Sequence, residues 1–198
     1  MIRNVIFDMG GVIVDIHLER AINNFKSIGV HDADRLIDAY HHKGLFIAIE
    51  NGDIDADEFC RRLSEHAGKE IPREAIEQAW RSIIDPPPAY RLQFLEELRR
   101  THKVCMLTNN NPIIMEWDRV RTLTGYFDKI YVSYKMKCVK PDPRIYLMML
   151  EDGAMLPDES LFIDDSEKNL EGARRCGLHT YLAKNGEDWR EDVMRLLA

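Results

Sequence analysis

Five short apolar runs constrain this chain more than any other feature: residues 5–7 (VIF), 104–107 (VCML), 130–132 (IYV), 161–163 (LFI) and 180–182 (TYL). Unbroken apolar runs of this length, flanked by turn residues, suit strands buried on both faces of a parallel sheet. The segments between them are long enough to hold helices, and strand–helix alternation specifies an α/β layer architecture. Composition agrees: 198 residues, 45% hydrophobic and 31% charged, supply one sizeable core, or a core plus a small accessory unit.

The gap between the first two strands is far longer than the roughly twelve residues a crossover needs. Helix signals fill it. Asp32 can cap a helix carrying Leu36, Ile37 and Tyr40, and Asp55 with Glu58 reads as a capping box ahead of Phe59, Leu63 and Ala67. Gly68 suits the end of that helix. Pro72 suits the first turn of another, with Ile76, Trp80 and Ile83 in register, before Pro86, Pro87 and Pro88 forbid continuation and act as a stiff hinge. Residues 17–85 are therefore expected to form a helical bundle inserted into a core of residues 1–16 and 86–198. A helix from Tyr90 to Arg100, striped by Leu92, Leu95 and Leu98, leads back into that core.

The net charge of −7 argues against a general nucleic-acid or anionic-membrane binder. Asp8 interrupts the first apolar run too early for a secretory signal, and no run approaches the ~18 apolar residues of a membrane span. Cys60, Cys105, Cys138 and Cys176 form no CxxC pair, so reduced, mostly buried thiols and a cytoplasmic setting are expected. The oligomeric state is not readable.

Three strands end in reactive polar groups: Phe7 runs into Asp8, Leu107 into Thr108 and Asn109, Ile163 into Asp164 and Asp165. In open α/β sheets the carboxyl ends of strands border the ligand crevice, so these groups should converge. Each alone is an ordinary turn signal. Together, in this order, they resemble the haloacid dehalogenase (HAD) superfamily. Phe7-Asp8-Met9-Gly10-Gly11-Val12 resembles its motif I, Leu107-Thr108-Asn109 motif II, Lys140-Pro141 motif III, and Phe162-Ile163-Asp164-Asp165-Ser166 with Asn169 and Gly172 motif IV. The resemblance implies a Rossmann-like core with a mostly parallel sheet and a C1-type cap at the helical insertion.

It also implies a Mg²⁺-dependent phosphatase acting on a small phosphorylated metabolite, with Asp8 as nucleophile. Asp8, the Gly10 carbonyl, Asp164 and Asp165 are the implied metal ligands, and Thr108, the amide of Asn109 and Lys140 the implied phosphate partners. The chemistry is coherent, since a carboxylate can accept and release a phosphoryl group, while a hard cation relieves its repulsion with phosphate. Lys135 and Lys137 are Lys140's nearby rivals, better read as solvated loop charges. The family's usual second aspartate, two residues past the nucleophile, is here Gly10. That glycine, with Glu50, Gly52 and Phe59, resembles the branch containing α-D-glucose-1-phosphate phosphatases, and points to a sugar 1-phosphate whose anomeric oxygen departs easily. A metal-independent dehalogenase and a weakly catalytic phosphate-binding regulatory module are the competing readings.

Asp15 and His17, where core passes to insertion, read as linker polarity. His41 and His42 adjoin on a helix and do not make a metal pair. Trp80, Phe59 and Leu63 read as packing within the insertion.

Overall fold

A computed structural model describes residues 1–38 and 42–198. Five parallel strands form one sheet: β1 (Asn4–Phe7), β2 (Lys103–Thr108), β3 (Lys129–Val132), β4 (Ser160–Asp164) and β5 (His179–Leu182), in the order β3-β2-β1-β4-β5. All five correspond to the apolar runs. β1 lies at the centre, its four residues buried, with Phe7 opposite Met106 on one side and Ile163 on the other.

Alternation along the strands splits the core in two. Val5, Phe7, Val104, Met106, Leu161 and Ile163 join the larger apolar cluster, while Ile6, Cys105, Leu107 and Phe162 join the smaller. Both faces are therefore covered, as a parallel sheet requires.

Between β1 and β2 stand α1 (Leu18–Ser27), α2 (Ala33–Leu36), α3 (Leu45–Glu50), α4 (Ala56–His66) and α5 (Arg73–Arg81), followed by α6 (Ala89–Leu98). Their packing centres on Trp80, whose ring lies 4.8 Å from Phe59, 4.9 Å from Phe46 and 5.9 Å from Phe25. Burying such rings contributes about 1.5–3 kcal/mol each. The chain leaves and rejoins the sheet through one paired crossing. Ile16 bridges Ile84 antiparallel, and the His17 N–H donates to the Ile83 carbonyl at 2.7 Å.

Several local expectations are corrected. α2 is only four residues long and Asp32 does not cap it, because its carboxylate accepts instead from His66 at 2.8 Å. Tyr40 and His41 lie outside the described residues. Asp55 does cap α4, accepting from the Glu58 N–H at 2.8 Å, but Glu58 spends its own side chain on Arg61 and Arg62 rather than closing a box. Pro72 precedes α5 instead of entering its first turn. On the α6 stripe Leu92 is only partly buried, while Arg91, one turn before Leu95, is fully buried and donates to Asp15 at 2.8 Å.

The other helices are α7 (Pro112–Met115), α8 (Asp118–Arg121), α9 (Ser133–Met136), α10 (Pro143–Gly153), α11 (Glu167–Arg175) and α12 (Arg190–Leu197). Among the described residues no helix is long and apolar enough to cross a membrane. The four cysteines are free, three of them buried.

Candidate active site

Register places the site. Because β2 and β4 both pair with β1, the residues ending these three strands meet on one edge of the sheet: Asp8 just beyond β1, Thr108 closing β2, and Asp164 closing β4 with Asp165 after it. Asp8, Asp164 and Asp165 each offer a carboxylate oxygen within 4.8 Å of the others. Such crowding of like charge is costly unless cations intervene.

One cation is built in. Lys140, from the loop between α9 and α10, is buried, and its Nζ lies 3.0 Å from Asp8 Oδ1 and 2.6 Å from Asp164 Oδ2, while also donating to the Leu107 carbonyl at 3.1 Å. Burial works against the ammonium, yet the two carboxylates outweigh it and hold its pKa above the ordinary lysine value. Asn109 fixes the lysine's backbone at both ends, its Oδ1 accepting from the Lys140 N–H at 2.8 Å and its Nδ2 donating to the Lys140 carbonyl at 3.0 Å. The Asn109 side chain is thus spent on holding Lys140. Lys135 and Lys137 lie elsewhere: Lys135 sits over the Tyr134 ring, and Lys137 donates to the Gly52 carbonyl.

The two adjacent acids are not equivalent. Asp164 is saturated, its oxygens taken by Lys140, the Ser166 N–H at 2.8 Å and Asn169 Nδ2 at 3.0 Å. Asp165 is less enclosed and lines the cavity in front of Asp8. Burial first, then repulsion from Asp8 and Asp164, pushes its pKa up to about 7. Burial and Asp164 likewise raise Asp8, against the pull of Lys140, to about 6. Asp8 Oδ1 accepts from Lys140 and from the Met9 N–H at 2.7 Å, whereas Oδ2 accepts from none of the described residues.

The motif I glycines are here for space. At Gly11, φ is +70° and an added Cβ would fall 2.2 Å from Asp165 Oδ2. At Gly10 it would fall 2.5 Å from Cδ1 of Ile16. A side chain at the position of the usual second acid would thus have to displace the end of Ile16.

The cavity measures about 100 Å³. Beside Asp8, Gly10, Thr108, Asn109, Lys140 and Asp165, its walls include Asp38, His42, Glu50 and Trp80 from the insertion. His42 carries no motif signature in a single sequence, and Glu50 enters only through the branch resemblance, which gives it no role. The available signal was Glu50's place as the lone acid in α3, LFIAIE, beside buried Phe46 and Ile49. Asp15 and His17 do not line the cavity: Asp15 accepts from Arg91, and His17 pairs with Asp85 at 2.6 Å.

The family model for haloacid dehalogenase-like hydrolases matches residues 2–177. The chain belongs to this family. Among HAD relatives, a D-ribitol-5-phosphate phosphatase of Bacteroides thetaiotaomicron is 36% identical over 204 residues, covering 100% of this chain and 99% of its own. A HAD-like family hydrolase of Porphyromonas gingivalis has a TM-score of 0.93 at 37% identity, covering 100% of this chain and 98% of that one. A variant HAD family enzyme of Bacteroides thetaiotaomicron, solved with magnesium and inorganic phosphate, has a TM-score of 0.92 at 36% identity, covering 98% and 99%.

Proposed function

We propose that this HAD hydrolase is a Mg²⁺-dependent phosphatase that cleaves a small phosphorylated polyhydroxy metabolite through a phosphoryl-aspartate on Asp8. The observation that carries the reading is Asp8 itself, with Oδ1 held by two donors and Oδ2 left to attack, beside an acid whose proton affinity is raised by burial and then by crowding. The crowded carboxylates fit a hard divalent cation, which favours oxygen ligands. Asp8, Asp165 and the Gly10 carbonyl would hold it, with Asp164 behind them orienting Lys140. Bound there, Mg²⁺ supplies the positive charge that lets a phosphate dianion approach a carboxylate.

In this reading Asp8 Oδ2 forms a bond to phosphorus as the ester bond breaks. Lys140 offsets charge on the nucleophile and the phosphoryl oxygens. Thr108 and the Asn109 N–H donate to those oxygens, where charge is greatest in transfer. Residues 17–85 serve as the cap, closing the site from above, and 1–16 with 86–198 as the catalytic core; the paired crossing at Ile16 and Ile84 supports that division. A cavity well below the ~300–1,000 Å³ of larger ligand sites suits a compact ester. The relative named for D-ribitol 5-phosphate supports a sugar or polyol phosphate, and the anomeric 1-phosphates suggested by motif I belong in the same trial.

The test is a phosphoester panel of sugar 1-phosphates, pentitol phosphates and terminal sugar phosphates, with Mg²⁺ and with chelator. Hydrolysis confined to the Mg²⁺ arm is expected; halide release from a 2-haloacid that survives chelation would instead favour the dehalogenase. Mg²⁺ must also displace protons. Because folding raises the pKa of Asp8 to about 6 and of Asp165 to about 7, these groups stabilise the metal-free fold most in acid, and that contribution is lost as pH rises through those values. Mg²⁺ should therefore bind at least about tenfold more weakly at pH 6 than at pH 8, read as a smaller Mg²⁺-induced rise in Tm. Equal shifts at both pH values would contradict the assignment of these two ligands.

A further inference from the structure

A phosphatase of this kind needs a proton for its leaving group, and motif I offers none at its usual place, since residue 10 is a glycine. The opposite wall of the cavity does. Glu50 ends α3 with 8% of its surface exposed. Its position is fixed to the core: Ser133 Oγ donates to the Glu50 carbonyl at 2.6 Å and accepts from the Asn110 N–H at 3.0 Å, tying the last turn of α3 to the loop that carries Thr108 and Asn109.

His42 specifies how the Glu50 carboxyl is used. Its Nδ1 accepts from the Asp38 N–H at 3.2 Å, so the neutral ring carries its proton on Nε2, which lies 3.5 Å from Glu50 Oε1. The ring is held edge-on against Phe46 and Trp80. With Oε1 facing a donor, Oε2 is the oxygen left to carry a transferable proton. Burial raises the Glu50 pKa, with His42 and Lys140 pulling the other way; Asp8, Asp38 and Asp165 also stand on the walls of the cavity.

We infer that Glu50 is the general acid and base of the reaction, with His42 as its positioning residue. This inference rests on the phosphatase reading above. As the bond from Asp8 Oδ2 to phosphorus forms and the ester P–O bond breaks, the Glu50 proton passes to the departing oxygen, giving an alcohol and the phosphoryl-aspartate. The Glu50 carboxylate then takes a proton from water as the water oxygen attacks phosphorus. The Oδ2–P bond breaks, releasing phosphate and restoring both the Asp8 carboxylate and the Glu50 acid. With a donor in place, the substrate need not have an easily departing oxygen, and ordinary alkyl phosphates come within reach.

The experiment compares the parent with Glu50→Gln in Mg²⁺ at pH 7.5, on p-nitrophenyl phosphate and on the fastest primary-alkyl phosphate of the panel, beginning with ribitol 5-phosphate. General acid catalysis contributes about 10²- to 10⁴-fold, and a phenolate needs it far less than an alkoxide. Glu50→Gln should lose about 10²-fold or more in kcat/KM on the alkyl ester and less than about tenfold on the nitrophenyl ester. Slowed breakdown of the phosphoryl-enzyme should appear as a burst of nitrophenolate of one per enzyme, which also certifies a folded variant. Glu50→Asp should fall between the two, and His42→Asn should show the same leaving-group bias at smaller amplitude. Equal losses on both esters, or none on the alkyl ester, would overturn the role of Glu50 alone. A parent that turns over neither ester in Mg²⁺ overturns the phosphatase reading and this inference with it.

Discussion

Asp8→Asn should abolish Mg²⁺-dependent phosphoester hydrolysis, lowering kcat by about 10⁴-fold or more, as loss of a covalent nucleophile does elsewhere. The amide keeps the shape of the side chain but removes the charge and most of the nucleophilicity. It can still accept from the Met9 N–H and Lys140, so the fold should persist. A steady-state assay on the best substrate of the panel, with circular dichroism as a check on folding, decides the matter. Retention of more than about a tenth of parental kcat would place the nucleophile elsewhere.

Lys140→Met should damage both activity and stability. Methionine preserves the length and apolar stem but leaves Asp8 and Asp164 buried without their shared ammonium, and breaking a buried charge pair costs about 3–5 kcal/mol. Protonating the orphaned carboxylates recovers part of that loss. The deficit measured by urea unfolding in chelator should therefore grow from pH 5 to pH 8, and kcat/KM should fall alongside it. A variant as stable as the parent at pH 8 would show that the lysine contributes no net stabilisation to this acid cluster.

The three central strands were legible because parallel strands buried on both faces read as unbroken apolar runs, and the convergence of Asp8, Thr108 and Asp164 followed from where those runs stop. Lys140 was legible through its motif context. The division of labour between Asp164 and Asp165 was not, because it depends on which carboxylate meets Lys140, Ser166 and Asn169, and adjacent identical residues look alike in sequence.

Side-chain direction accounts for the other differences. Arg91 shares a helix face with Leu95 and Leu98, and what its spacing does not show is that its guanidinium finds Asp15 and the Ile13 and Glu187 carbonyls. Asp32 has the composition of a helix cap and is drawn away by His66, a partner distant in sequence. Glu50 is the most consequential case. It ends the apolar helix α3, and only the tertiary placement of α3 beside the loop after β2 brings it to the cavity. Motif comparison detects the missing acid at Gly10, while its replacement arises from a different element of the chain.

The chemistry of Asp8 can be observed directly by acid quench within a single turnover, followed by mass spectrometric mapping of the phosphorylated peptide. The account predicts a labile phosphoryl group on Asp8 that forms before free phosphate appears and decays as it accumulates. Phosphate release with no labelled enzyme at any time point, or with the label on another residue, would contradict it.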